Sequence, residues 1–351
     1  MFAADIKAAE VPAPAALPAP DFDTFWKQIV EPVEPFLDGV GTQLLAQVQV
    51  FEPEIAELAR YALCSQGKQL RPALVALSAG ASGRLTAAHT TVAVIIEMVH
   101  LATLVHDDVM DEAEMRRRRP TLAANWGPQI SVLLGDCLFA HALKLAASFP
   151  TPEVCRAVSG ATNTVCSGEI LQTLHRGNFA FSRTDYFRVL EMKTAELFAL
   201  SCELGAALSG ASAVRRSALR RYGLAFGTAY QVFDDCVDLF GSEVAAGKSL
   251  GTDLATGKLT LPVLLCLERA SAPERARLCE WLRNWNPRHL PAVQEMLRRH
   301  EAAADSRATI QQLLDTAQQA LTELPDTASR TALNGLTEFL VQQTDALGVS
   351  S

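Results

Sequence analysis

Two sets of aspartates repeat one spacing in this chain. Asp107, Asp108 and Asp111 lie in His106-Asp107-Asp108-Val109-Met110-Asp111, and Asp234, Asp235 and Asp238 lie in Gln231-Val232-Phe233-Asp234-Asp235-Cys236-Val237-Asp238. Residues four apart on a helix share a face, so Asp107 pairs with Asp111, and Asp234 with Asp238. Carboxylates crowded at the end of an apolar run repel one another unless a counter-ion joins them. Their hard oxygens suit Mg2+, which one or two carboxylates commonly hold together with substrate phosphates. A single such cluster reads equally well as a solvated helix end. Two with the same spacing, each ending an apolar helical run, are hard to explain as surface decoration. A calcium loop of the EF-hand kind does not fit, because it needs alternating ligands in a loop around a central Gly.

Basic residues stand where an anionic group between the two clusters needs them. Lys68 and Arg71 lie upstream in Gly67-Lys68-Gln69-Leu70-Arg71-Pro72, Arg116-Arg117-Arg118-Arg119 follow the first cluster, and Lys193-Thr194, Lys248 and Lys258 come later. Arg offers forked donors to phosphate oxygens and Lys a compact point charge. Any one of them alone reads as a surface solubiliser. Gly67-Lys68 is not a P-loop, since the second Gly, the Lys-Ser/Thr ending and a preceding strand are missing.

These residues are far apart along the chain, so helices must bring them together. Apolar residues recur at helical spacing from about residue 21, with glycines between the periodic segments. No run shows sustained alternation with a hairpin turn, so few or no strands are expected, and no solenoid repeat occurs. The periodicity predicts helices over 54–64, 70–80, 87–112, 129–148, 153–175, 184–210 and 213–240, and further ones over 260–282 and most of 290–345. Pro32, Pro35 and Pro53 punctuate the first helices. The segment 87–112 is nearly all apolar and should be the central helix, surrounded by the others. With no linker visible, one all-α domain is expected over 21–351, preceded by a disordered Ala/Pro arm over 1–20.

Composition limits the partners. The 351 residues carry a net charge of −8 and are 49% hydrophobic, enough for a large core. An acidic chain without a basic block argues against nucleic acid. The 8 cysteines are scattered, with no Cys-x-x-Cys pair, which fits a reducing cytosol and neither a zinc ribbon nor a disulfide framework. The longest apolar stretch, Val92–Val105, is interrupted by Glu97 and His100 and reads as a buried helix rather than a membrane span. His89, His106 and His141 read as packing or capping residues, the Cys and Met residues as core filler, and Trp26, Trp126, Trp281 and Trp285 as packing anchors.

In order along the chain, GKQLRP (67–72), EMVHLATLVHDDVMDEAEMRRRRPT (97–121), LLGD (133–136), GE..Q (168–172), KT (193–194), QVFDDCVD (231–238) and GKSLGTDLATGKLTLP (247–262) resemble the polyprenyl synthetase family, the trans-isoprenyl diphosphate synthases. The resemblance runs from about residue 60 to 265. It implies an isoprenoid synthase fold of antiparallel helices around a deep central cavity, and a homodimer. It implies three Mg2+ ions held by both triads, with Asp107, Asp111 and Asp234 as ligands and Asp108, Asp235 and Asp238 in support. The family's isopentenyl diphosphate pocket maps to Lys68, Arg71, His100 and Arg117. Its allylic diphosphate contacts map to Arg116, Lys193, Thr194, Gln231, Lys248 and Lys258, with the oxygens of Thr194 and Gln231 near the developing cation. No side-chain nucleophile is implied. The expected location is cytoplasmic, with the product passed on to a membrane.

Two departures from the family pattern stand out. The usual Gly-Gly-Lys-Arg loop is Gln66-Gly67-Lys68-Gln69, and the usual Arg-Arg-Gly is Arg116-Arg117-Arg118. Loss of the second Gly matters only if the backbone there has a positive φ. A class I terpene cyclase would carry an Asn/Ser/Glu second motif and lack GKxLRP. Head-to-head synthases are disfavoured on the same grounds, and non-catalytic partner subunits lose the Asp triads. In the family a bulky side chain just upstream of the first triad stops chain growth. Ala102 and Thr103 are small there, and Val99 and Met98, taken as the next residues on that side, are not aromatic. The expected product is therefore C20 or longer and in the C30–C50 range, with geranylgeranyl diphosphate synthesis as the alternative.

Overall fold

The computed structural model describes residues 22–64, 67–242 and 250–347. The arm expected over 1–20, Gln66 and Lys248 lie outside the described residues. Helix α1 (Phe22–Val30), a 3-10 turn (Glu31–Val33) and α2 (Glu34–Val48) lead into α3 (Pro53–Leu63) and α4 (Leu70–Ser82). Pro32, Pro35 and Pro53 each occupy a first helical turn, where a missing N–H removes no bond.

Helix α5 (Ala87–Met110) is the centre of the molecule. Its residues Val92, Ala93, Ile95, Ile96, Met98 and Ala102 are wholly buried, and each large aliphatic side chain so placed contributes about 1.5–3 kcal/mol. A capping box starts the helix: the Thr86 N–H donates to His89 Nδ1 at 2.9 Å, while His89 Nε2 bonds the Gly205 carbonyl at 3.1 Å. A buried helix start is thereby satisfied, and His89 is a capping residue as expected.

Around α5 stand α6 (Leu122–Trp126), α7 (Pro128–Ala147), α8 (Glu153–Leu174), α9 (Arg183–Leu190), α10 (Glu196–Leu208) and α11 (Ala213–Phe240). The remainder comprises α12 (Thr252–Ala255), α13 (Leu261–Arg269), α14 (Ala272–Arg283), α15 (Leu290–Arg299), α16 (Ala302–Leu321) and α17 (Ala328–Ala346). Two buried apolar clusters result, one built on α5, α7 and α8 and the other on α11, α13 and α16, with α4 and α10 contributing to both. Helices α10 and α11 approach closely because α11 turns Gly223 toward its neighbour. A Cβ there would fall 2.6 Å from the Phe198 carbonyl oxygen.

The all-α expectation holds, with differences of local cause. The helix expected over 184–210 is interrupted by a π-helical turn at Glu191–Ala195, which neither Pro nor Gly announces in the sequence. The helix expected over 260–282 breaks at Ala270, where Ser271 and Glu274 form a capping box that starts α14. The span 290–345 contains three helices, with Glu301 at φ +56° between two of them. A two-stranded hairpin of two residues per strand, Met115–Arg116 with Arg119–Pro120, carries the arginine run. Its turn residues Arg117 and Arg118 have φ of +48° and +62°. The backbone condition under which the missing Gly matters is therefore met.

Candidate active site

Both aspartate clusters sit toward the C-terminal ends of their helices, α5 and α11, and both open on one cavity of about 1360 Å3. A helix C-terminus carries partial negative charge and disfavours anions, so these carboxylates require cations. The protein supplies four to the first cluster. Lys193 Nζ lies 3.9 Å from Asp107 Oδ2. Arg116 bonds Asp108 Oδ1 at 2.8 Å. Lys258 Nζ donates to Asp111 Oδ2 at 2.6 Å, and Arg176 Nη2 to Asp111 Oδ1 at 2.7 Å.

Charge balance differs along the cluster. Burial pushes Asp107 up to about 6 against the pull of Lys193, with Glu169 and Asp111 adding to the rise. Burial also raises Asp108, although Arg116 opposes it. Burial works the same way on Asp111, but there Lys258, Lys193 and Arg176 outweigh it and hold the carboxyl below its ordinary value. Asp111 is thus the member that the protein's own cations stabilise most.

The π turn places Lys193 and Thr194. An extra residue in a turn re-aims side chains, and such turns concentrate at functional sites. The turn rests on Gly168 of α8, where a Cβ would fall 2.7 Å from the Lys193 backbone nitrogen. Lys193 donates to Gln172 Oε1 at 2.8 Å and forms an ion pair with Glu169. Thr194 donates to Gln231 Oε1 at 2.9 Å, Gln231 donates to Asp235 Oδ1 at 2.9 Å, and Tyr186 donates to Asp235 Oδ2 at 2.6 Å.

The second cluster therefore divides. Asp234 is exposed to the cavity. Asp235 is buried, with both oxygens taken by Tyr186 and Gln231, and burial, then Asp253, drives its carboxyl well above the ordinary range. Asp238 is wholly buried and does not line the cavity. It caps α12 instead, accepting from Thr252 Oγ1 at 2.7 Å and from the Asp253 N–H at 3.1 Å. The shared face inferred for Asp234 and Asp238 thus does not bring both to the cavity, because the start of α12 packs on Asp238, with Thr252 and Asp253 bonded to its carboxylate.

Lys68, Arg71, His100 and Arg117 line another part of the same cavity. The Arg71 guanidinium lies 4.6 Å from the Phe198 ring centroid, and its Nε is buried with no hydrogen-bond partner among the described residues. A buried donor left open next to other cations is a fit for an anion. Glu97, beneath them, is pushed up to about 7 by burial, against the pull of Arg71 and Arg117. Burial, followed by the nearby Arg71, Arg116 and Arg117, holds His100 well below its ordinary value, so it is neutral. Lys68 lies over the rings of Trp26 and Phe339, at 5.6 and 4.9 Å, and 3.9 Å from Asp23. The Arg117 guanidinium lies against Gly67, where a Cβ would fall 2.5 Å from Arg117 Nη2 and would push that side chain aside.

The wall near the first cluster includes Thr103 but not Ala102, Val99 or Met98. Those three are core residues, exposed by 1% or less. At 100° per residue, positions 102 and 98 lie about 140° and 180° around the helix from Asp107, whereas 103 lies about 40° away. Helices α7 and α8 supply the opposite wall with Phe139, Val165, Cys166 and Ile170.

Arg176 and Tyr186 lie outside the motifs read in the sequence, and Glu97, Glu169 and Gln172 lie within them without an assigned role. The expected packing residue Trp26 borders the cavity. Among the described residues no three His, Cys, Asp or Glu side chains converge on one point. Mg2+ takes oxygen ligands, commonly one or two carboxylates together with substrate phosphate and water. The oxygen-only donors Asp107, Asp111 and Asp234 fit it.

The family model described as Polyprenyl synthetase matches residues 52–299. The chain therefore belongs to the polyprenyl synthetase family of prenyltransferases, enzymes with the all-α isoprenoid synthase fold. It is 35% identical over 307 residues to the octaprenyl diphosphate synthase of Escherichia coli (strain K12), covering 87% of this chain and 95% of that one. It is 36% identical over 280 residues to the nonaprenyl diphosphate synthase of Mycobacterium tuberculosis, covering 79% of this chain and 83% of that one. The structure is similar to that of a polyprenyl synthase from Caulobacter crescentus complexed with calcium and isoprenyl diphosphate, with TM-score 0.86, 32% identity, and 90% and 97% of the two chains covered.

Proposed function

We propose that this enzyme condenses isopentenyl diphosphate head to tail with an allylic diphosphate and extends the chain to a trans-polyprenyl diphosphate in the C30–C50 range. The observation that carries this is one cavity shared by Asp107, Asp111 and Asp234 on one side and Lys68, Arg71, His100 and Arg117 on another. Three Mg2+ ions, bound with the allylic diphosphate at Asp107, Asp111 and Asp234, would supply Lewis-acid neutralisation of the leaving group. Lys193, Lys258 and Arg116 add fixed positive charge to the same group, with Lys248 joining them on the family pattern. Asp108 orients Arg116, Asp235 orients Gln231, and Asp238 anchors the loop that leads to Lys258.

The C–O bond of the allylic diphosphate breaks and both electrons leave with the diphosphate. The oxygens of Thr194 and Gln231 face the resulting allylic cation. Lys68, Arg71, neutral His100 and Arg117 hold isopentenyl diphosphate so that its double bond attacks that cation. The new C–C bond leaves a tertiary cation, and loss of one proton to the released diphosphate regenerates an allylic diphosphate five carbons longer.

Chain length follows from the wall. Thr103 is small, and the apolar side chains of α7 and α8 face it. The names of the octaprenyl and nonaprenyl relatives support a long product for this chain. The exposed apolar side chains Ile130 and Leu133 of α7 and Leu174 of α8, none of which lines the cavity, support a homodimer. Helices α5 and α7 are long and apolar enough to cross a membrane by length and composition, but α5 is the core helix. The enzyme works in the cytoplasm and delivers its product to a membrane. The test is incubation with farnesyl diphosphate, isopentenyl diphosphate and Mg2+, with mass spectrometry of the products. Polyprenyl diphosphates of C30–C50 support the proposal, a C20 end point favours geranylgeranyl diphosphate synthesis, and cyclic hydrocarbons overturn it.

A further inference from the structure

Asp111 holds two cations, and only Lys258 belongs to the motifs discussed above. Arg176 follows α8, donates from Nη2 to Asp111 Oδ1 at 2.7 Å, and donates from Nη1 to the Met110 carbonyl at 3.1 Å. Lys258 takes the other oxygen, Oδ2, at 2.6 Å. The loops that bear the two cations are joined by the Gly177 N–H donating to the Gly257 carbonyl at 2.8 Å. Both glycines have positive φ, +68° and +74°, and a Cβ on Gly257 would fall 3.2 Å from the Gly177 nitrogen. The pair of cations is therefore set as one unit on one carboxylate. Arg176 also keeps a spare donor, because its Nε is buried with no hydrogen-bond partner among the described residues.

We propose that Arg176 is a positioning residue that makes metal capture at Asp111 depend on the arrival of a diphosphate. A divalent cation alone meets an Asp111 that two positive groups already neutralise, so it gains little there. A diphosphate brings several negative oxygens, for which a guanidinium is a forked donor. Arg176 and Lys258 then turn toward the phosphate oxygens, and Asp111 is released to the metal. This reading rests on the assignment of Asp111 as a metal ligand.

The experiment is calorimetric titration of Mn2+ into the full-length protein, with and without inorganic pyrophosphate, for wild type, Arg176→Gln, Arg176→Lys and Asp111→Ala. In Arg176→Gln, Mn2+ alone should bind tighter by on the order of fivefold, which corresponds to about 1 kcal/mol for one partly exposed ion pair. The enhancement of Mn2+ binding by pyrophosphate should shrink by at least the same factor. Arg176→Lys should behave as wild type, and the KM for isopentenyl diphosphate should not move. Arg176→Met, of similar length, makes the same comparison where the Gln variant is unstable. Unchanged or weaker binding of Mn2+ alone in the Gln or Met variant overturns the proposal, as does equal tightening in Arg176→Lys. Full pyrophosphate-dependent Mn2+ binding in Asp111→Ala shows instead that the ligand assignment failed.

Discussion

Replacing Thr103 by Phe should shorten the product, and replacing its neighbour Ala102 should not. Thr103 stands four residues before Asp107, which puts it ~6 Å back along α5 and about 40° from the same face. It is half-buried and borders the cavity, whereas Ala102 is 0% exposed and packed in the core. The four backbone carbons of a prenyl unit span ~4–5 Å, about three residues of helix rise. A ring at position 103 therefore stands one to two units below Asp107, which a metal ion would separate from the allylic diphosphate by roughly one unit more, and growth should stop at C15–C20. The first condensation occurs above the ring, so its rate should stay within about threefold of wild type, less than ~0.7 kcal/mol in barrier. Ala102→Phe instead overfills a close-packed site at about 1–3 kcal/mol, so it should lower the melting temperature and leave the product pattern unchanged. Mass spectrometry of products made from geranyl diphosphate, isopentenyl diphosphate and Mg2+ reads both. A wild-type pattern from Thr103→Phe, or equal shortening by Ala102→Phe, would refute this reading of the wall.

Lys68→Ala should raise the KM for isopentenyl diphosphate roughly tenfold, the scale of one charge-assisted contact, and leave that for the allylic substrate nearly unchanged; equal weakening of both would show the two pockets wrongly divided. Arg118 occupies a left-handed conformation at φ +62°, which costs a non-Gly residue roughly 1–2 kcal/mol, so Arg118→Gly should raise the denaturant midpoint without loss of activity. Burial lifts Glu97 in the folded state from 4.5 to about 7, so the native state binds the extra proton between those values and stability should fall as pH rises through that window. Glu97→Gln should flatten that slope, and an unchanged pH profile of urea midpoints would contradict the assignment.

The sequence was readable where periodicity and spacing coincide with structure. The apolar run of 87–110 and the repeated Asp-Asp-x-x-Asp spacing put α5, α11 and their acidic ends in view. Spacing alone could not separate Asp234 from Asp238, because the use of Asp238 as a cap depends on Thr252 and Asp253, which are its neighbours only in the fold. It also misplaced the product wall. Counting back from Asp107 gave distance along the axis but not direction around it, and Met98 falls on the opposite face. The π turn at Glu191–Ala195 has no marker in residue type, since it depends on contact with Gly168 of another helix. Arg176 was hidden because nothing near it in the chain needs a cation; its partner Asp111 is a neighbour only in the fold.

Asp107 and Asp234 stand on separate helices, and the proposed reaction has both act on one diphosphate. Its most direct test is the single-turnover rate of condensation of farnesyl diphosphate with isopentenyl diphosphate at saturating Mg2+, in Asp107→Ala and in Asp234→Ala. Each substitution removes a strong electrostatic stabiliser of the departing group, so each should slow the chemical step by at least ~100-fold while the helical circular dichroism is retained. A rate near that of wild type in either variant would contradict this joint action.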